Sequence, residues 1–353
     1  MSVDVTQPAA AVQGGAPTRR GQRLLAIGGV MLALLLVLEL GARAIEGRLA
    51  TPLVWHTYEA QRKVEQMDAR ATTGVDVVFL GSSMSNTAMI PSLFESTVGG
   101  GITAYNAALN SGTPRLSEAW GLRVMLPRLH PKLVVIGVSS ADMTDNGAGR
   151  TVFFDAMRDS PGGRESLGRE SIVDRTDRVL RDHLALWAHR AELRNPTALW
   201  DAIRGTKPPG DLGADSLDEQ GRMTYFDDWQ FDQRPPRARI PGVSEWGLGT
   251  QDPGALRRLI AGAQHSGARV VLVDLPVTPE YIAYHPRGDA DYQESKRAIG
   301  EMARDTGVGL IDLDQTRDHG LFADELHLNH KGATAFTVAL TDALRAEGAL
   351  PSR

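Results

Sequence analysis

Two short segments of this 353-residue chain bring together the residue types that nucleophilic catalysis requires. Gly81-Ser82-Ser83-Met84-Ser85 follows the apolar run Val75 to Leu80, and Asp324-Glu325-Leu326-His327 precedes the last amphipathic stretch of the chain. A serine hydroxyl is a weak nucleophile until a base takes its proton, and an imidazole has the ordinary pKa that suits the task. An aspartate three residues ahead of a histidine in a loop can bend back to accept the ring Nδ1–H, which leaves Nε2 facing a serine. A serine where a strand hands over to a helix also offers its own backbone N–H to a developing oxyanion. The pattern predicts Ser83 as nucleophile, His327 as base and Asp324 as the acid that orients it. Each segment alone has a plainer meaning, since Gly-Ser-Ser is ordinary turn chemistry and Asp-x-x-His is commonly a solvated surface pair.

Their joint occurrence is the stronger signal. Gly-x-Ser after the first strand and Asp-x-x-His before the last helix resemble the first and last sequence blocks of the SGNH (GDSL-like) hydrolase family. Between them, Asn106-Ala107-Ala108-Leu109-Asn110-Ser111-Gly112 is similar to the family's glycine block, and the resemblance implies that Gly112 gives its N–H to the oxyanion hole. Ser139-Ser140-Ala141-Asp142 occupies the place of the family's Gly-x-Asn-Asp block, with Ala141 where an oxyanion-hole asparagine usually stands and Ser139 where glycine does. Losing one such donor costs on the order of 10²–10³ in turnover in a well-studied serine protease. Asn110, Asn86 and the Ser140 hydroxyl are the groups that could replace it. The resemblance spans residues 75–345, leaves the middle of the chain unmatched, and implies a Ser-His-Asp enzyme with neither cofactor nor metal.

Other motifs lead elsewhere and fall short. His319 to Asp324 makes a His-x4-Asp string like that of glycerolipid acyltransferases, without the surrounding context. Asp312 and Asp314 lack a third ligand at motif spacing for a hard metal ion. The chain has no Gly-x-Ser-x-Gly elbow and no phosphate-cradling glycine loop. His56, His130, His183, His189, His265, His285 and His330 are expected on solvated faces or in local hydrogen bonding. Composition is that of a globular protein, 42% hydrophobic and 23% charged, with a net charge of −5 and no long basic run, so a nucleic-acid partner is not expected. There is no cysteine, which removes disulfides and thiolate chemistry together.

The elements that must position these residues follow from periodicity. Short apolar runs at Val75–Leu80, Ile102–Asn106, Lys132–Val138, Arg269–Leu275 and Val308–Leu313 read as strands covered on both faces. Helical spacing is expected over 91–98, 115–129, 253–266, 291–306 and 332–347. Alternation of this kind, with right-handed crossovers, predicts a flavodoxin-like three-layer α/β sandwich on a five-stranded parallel sheet. The folded domain would then comprise 75–142 and 250–350. The intervening 143–249 is expected to form a cap leaving the carboxyl edge of the sheet, with an amphipathic helix through Ile172, Val179, Leu184 and Trp187. Asp142, Trp187 and Trp229 are candidate substrate contacts, and Tyr225 and Trp246 are further rings that could stack on sugars.

The amino terminus reads as a disordered tail over 1–23, an apolar span over 24–42 with Glu39 as its only charge, and a polar connector over 43–74. About 1.5 Å of rise per residue lets such a span cross a core of roughly 30 Å. Arg19, Arg20 and Arg23 place the tail in the cytoplasm by the positive-inside bias, and the domain outside. Ala42-Arg43-Ala44 would also suit signal cleavage, but the apolar stretch is longer than a signal core, so an uncleaved anchor is expected. This layout is similar to that of membrane-anchored members of the family, the D-alanyl transfer protein of lipoteichoic acid synthesis and alginate O-acetylation proteins. The resemblance implies acyl transfer or deacylation on acylated carbohydrate or glycolipid, beside a multi-span membrane acyltransferase. A small-ester or lipid esterase, and a degenerate glycan-binding scaffold, are the alternatives.

Overall fold

A computed structural model describes residues 19–48, 55–146, 171–190, 193–194, 196–205, 216–233 and 235–351. The tail over 1–18 and the Lys207-Pro208-Pro209-Gly210 segment lie outside them. Five parallel strands form one sheet: β1 (Val77–Leu80), β2 (Ala104–Asn106), β3 (Leu133–Val138), β4 (Arg269–Asp274) and β5 (Gly309–Asp312). Their order is β2-β1-β3-β4-β5, the doubly wound arrangement that the alternation predicts. Successive strand residues serve opposite faces. Val78, Leu80, Val134, Ile136, Val270 and Leu272 join one core cluster, while Val77, Phe79, Val135, Val271, Val273 and Ile311 join the other.

Helices cover both faces. N-terminal to the sheet lie α1 (Arg19–Ile45) and α2 (Trp55–Asp68). Helices α3 (Ser83–Ala88) and α4 (Pro91–Val98) follow β1, and α5 (Pro114–Trp120) and α6 (Leu126–Leu129) follow β2. The expected single helix over 115–129 is interrupted by a π-helical turn at Gly121–Met125. A Cβ on Gly121 would stand 2.6 Å from Leu259 Cδ1, so the glycine allows a close approach of the helix that carries Leu259. The insertion contains α7 (Ile172–His183), α8 (Ala185–Ala188) and α9 (Pro196–Arg204). Helices α10 (Gln251–His265), α11 (Pro279–Ala283), α12 (Asp289–Thr306) and α13 (His330–Ala346) complete the sandwich.

Two compact units divide the chain differently from the sequence reading. One comprises Met1–Pro52 with Val179–Pro208, and the other Leu53–Arg178 with Pro209–Arg353. The insertion is therefore not one cap, because 179–208 groups with the amino terminus and 216–249 with the sheet. Helix α2, within the expected polar connector, packs into the core. Ala60, Val64 and Met67 enter the core, and Glu59 and Lys63 on the same helix are fully buried. Polar residues that belong to a buried network mimic a solvated helix in sequence, which hides the contribution of α2 to the core.

Candidate active site

The two ends of the sheet unit meet at the carboxyl edge of β1. Gly81 ends the strand at φ +139°, and a Cβ there would lie 2.8 Å from Gly137 O and against Ser85 Oγ, so only glycine makes this turn. Ser82 caps α3, accepting from Met84 N–H at 3.4 Å, and Ser83 opens the helix, so its N–H has no intrahelical acceptor. The Ser83 hydroxyl is half-buried and lies 2.9 Å from His327 Nε2.

The opposing loop is held at several points. Asn329 caps α13, accepting from Gly332 N–H at 3.0 Å, and its amide donates to Gly320 O at 3.1 Å and Phe322 O at 3.3 Å. A Cβ on Gly332 would clash with Leu321 O. Within the loop, Asp324 accepts from the backbone N–H of Leu326 (3.1 Å) and His327 (2.8 Å), and both its oxygens lie 2.9 Å from His327 Nδ1. That contact assigns the ring proton to Nδ1 and the lone pair to Nε2. Asp324 and His327 are buried.

A residue with no sequence motif completes the acid side. Arg237 Nη2 donates to Asp324 Oδ2 at 2.6 Å, while its Nε and backbone N–H reach Glu325 at 3.1 and 2.9 Å. Tyr284 OH holds the Arg237 carbonyl. Burial pushes the Asp324 carboxyl upward, but the His327 imidazole and then the Arg237 guanidinium outweigh it and hold the group well below the usual carboxylate range. Phe226 stacks on the imidazole at 4.2 Å between centroids and 12° between planes, closing one face to water. Sequence reasoning missed Arg237, Glu325 and Phe226, since only the fold brings 226–237 to the loop at 324–327.

The remaining candidates are placed as follows. Ser140 is buried with its hydroxyl 3.0 Å from Tyr281 OH and 2.8 Å from His285 Nε2, so it is committed away from the oxyanion role. His285 is itself buried and takes the second of its two expected roles, local hydrogen bonding, with Nδ1 3.0 Å from Ile282 O. Asp142 closes a capping box, accepting from the Ser139 N–H at 2.9 Å and its hydroxyl at 3.1 Å, which gives it a structural task in place of a substrate contact. Gly112 packs against Ser82, with no room for a Cβ, yet its N–H donates to Leu109 O at 2.9 Å in the turn that Ser111 makes at φ +53°. Asn86 is occupied by Glu59, Lys63 and Met223 N–H. Asn110 differs: its Nδ2 meets only the Met223 sulfur, a weak acceptor, and its buried Oδ1 has no partner. Trp246 is buried and donates to Ser140 O at 2.9 Å. Trp229 packs on Tyr225 and Phe226, and it also lines a cleft of about 760 Å³ with Asp228, Gln230 and His319. Trp187 belongs to the other compact unit, with α1.

Behind Ser83 lies a buried ion pair. Lys63 Nζ donates to Asn86 Oδ1 (3.0 Å), Asn106 O (3.1 Å) and Ala108 O, and Glu59 accepts from Asn86 Nδ2 (2.6 Å) and Asn110 N–H (3.1 Å). The two charges stand 3.7 Å apart and tie α2 to both α3 and the loop 106–112. Burial drives the Lys63 ammonium down to about 8 and the Glu59 carboxyl up, the sign that this pair is costly without its hydrogen bonds.

No family model matches the chain, and no curated protein does. Among solved structures it is similar to a psychrotrophic esterase from Pseudoalteromonas sp., with 13% identity and a TM-score of 0.39 over 78% of this chain and 98% of that one. It is also similar to a GDSL-like lipase from Bacteroides thetaiotaomicron, with 11% identity and a TM-score of 0.41 over 83% and 99% of the two chains. A carbohydrate acetylesterase from Sinorhizobium meliloti gives 11% identity and a TM-score of 0.36 over 77% and 99%.

Proposed function

We propose that this chain is a membrane-anchored serine acyl-transfer enzyme of the SGNH type, an O-acyltransferase or O-deacylase acting outside the cytoplasm on acylated envelope carbohydrate or glycolipid. The observation that supports it is the line of contacts from Ser83 Oγ to His327 Nε2 and from His327 Nδ1 to Asp324, each 2.9 Å. Ser83 Oγ attacks the ester carbonyl as His327 Nε2 takes its proton, and the tetrahedral intermediate collapses to an acyl-enzyme as the imidazolium protonates the leaving alcohol. A second hydroxyl, of water or of a sugar, then takes the acyl group by the reverse sequence. Asp324 remains ionised throughout and stabilises the imidazolium. The Ser83 N–H and the Asn110 Nδ2–H supply the oxyanion contacts, Asn110 because its donor end is held only by the Met223 sulfur, a weak acceptor, whereas Asn86 and Ser140 are engaged by stronger partners.

Ala141 favours a second reading, a glycan-binding or scaffolding partner of a membrane acyltransferase without turnover, because the usual side-chain donor is missing there. One experiment separates the two. The full chain in detergent is treated with a chromogenic acetyl ester and a serine-directed phosphonate, and hydrolysis with label on Ser83 is expected. No hydrolysis and no label would leave the scaffold. Added oligosaccharide acceptors distinguish transfer from simple esterase action by the appearance of acylated sugar.

A further inference from the structure

Large apolar side chains are exposed in two places within one compact unit. The first is the span itself, Leu25–Ile45, where Leu32, Leu36 and Leu40 are more than half exposed. The second is the insertion segment 179–205, where Trp200 is 53%, Ile203 50% and Val179 44% exposed. Water is a poor surrounding for so many large apolar groups on one short segment.

Hydrogen bonds join the segment to the span. Glu39 lies in the last third of α1, and its carboxylate accepts from the first two N–H groups of α8, Ala185 at 2.9 Å and Leu186 at 3.0 Å. Arg43 pairs with Glu39 at 2.8 Å and donates to His183 O at 2.5 Å. Ala42 and Ala185 are buried in the same unit. An acid in an apolar span is costly unless it is paired, and here the pairing holds residues 183–186 at the level of the span's C-terminal end. Beyond that point the segment carries two tryptophan–arginine stacks, Arg190 over Trp187 at 4.9 Å and Arg204 over Trp200 at 4.7 Å. Indole rings with guanidinium groups beside them suit the headgroup boundary, where an apolar ring is buried and a cation stays hydrated.

We infer that residues 179–190 and 196–205 form an interfacial element that lies in the headgroup region of the same bilayer that α1 crosses, with Trp187, Trp200 and Ile203 entering the lipid. The bilayer is the occupant because the exposed apolar surface continues from a spanning helix at the depth where that helix ends. This rests on reading Arg19–Ile45 as an uncleaved anchor. The segment therefore ties the insertion to the membrane at a second point.

The absence of cysteine allows a direct test on the full chain. Leu34→Cys, Trp200→Cys and Ile203→Cys, each carrying an environment-sensitive fluorophore, are reconstituted in phosphatidylcholine–phosphatidylglycerol vesicles containing nitroxide lipids. Expected are quenching of the Leu34 site by nitroxides deep in the chain, and blue-shifted emission with quenching of the 200 and 203 sites by nitroxides near the headgroup. Quenching at 34 with water-like, unquenched emission at both 200 and 203 would overturn the interfacial element while leaving the anchor intact. Water-like emission at 34 as well would instead remove the anchor reading, and this inference with it.

Discussion

At the scale of single residues, the site depends on side chains whose roles are set by what each one faces. Ser83→Ala or His327→Ala is expected to lower kcat by roughly 10³-fold or more on a chromogenic acetyl ester, leaving the residue of rate that binding and oxyanion contacts supply. Asp324→Asn should be nearly as severe, because an amide in place of the carboxylate favours the wrong imidazole tautomer. Wild-type turnover in that variant would remove Asp324 from the mechanism. Arg237 acts through Asp324, and Arg237→Gln is expected to cost about tenfold in kcat/KM, or ~1.4 kcal/mol. The same variant has a pH signature. The Asp324 carboxyl is held below its unfolded value of about 3.9, so its contribution to stability is complete above that pH and is lost as pH falls through the folded value. Removing the guanidinium raises the folded value, and acid unfolding followed by tryptophan fluorescence should begin at higher pH than in the parent. Superimposable titrations would count against the Arg237–Asp324 contact.

At the scale of elements, α2 bears on the site as directly as the helices that flank the strands. Its buried pair holds Asn86, three residues past Ser83, and Asn110, next to the turn that packs on Ser82. Lys63→Met leaves the Glu59 charge buried without its partner, for which about 3–5 kcal/mol is expected in urea unfolding. Glu59→Gln together with Lys63→Met should cost much less than the sum of the single changes, since no charge is then left alone. Additive losses would show that the two residues act separately. The element boundary gives a companion prediction. A chain beginning at residue 53 should unfold cooperatively, whereas one beginning at residue 75 loses Ala60, Val64 and Met67 from the core and should not.

At the scale of the whole molecule, the chain divides into two compact units. The unit with the sheet contains every residue of the proposed chemistry, and the unit with α1 contains the surfaces suited to lipid. Signal cleavage near Ala42-Arg43-Ala44 would separate Glu39 from Ala185 and Leu186. An amino-terminal tag should therefore stay on the mature chain, and the protein should remain in the membrane pellet after alkaline carbonate extraction. A soluble product lacking the tag would contradict the anchor.

The strands and their order were legible from the sequence because short apolar runs at βα spacing have few ways to pack, and right-handed crossovers leave essentially one. The Gly81 turn and the Asp324–His327 loop were legible too, because both are local and each depends on residues within a few positions of itself. Arg237, Phe226 and the Glu59–Lys63 pair were not, since a polar side chain looks the same in sequence whether it faces water or a partner many residues away. The side chain proposed as the second oxyanion donor belongs with these. Asn86, Asn110 and Ser140 all carry a side-chain donor, and only the tertiary hydrogen bonds that occupy Asn86 and Ser140 set Asn110 apart. Local periodicity and turn chemistry act over a few residues and are written in sequence, whereas the state of a buried polar group depends on long-range packing and is decided only when the chain has folded.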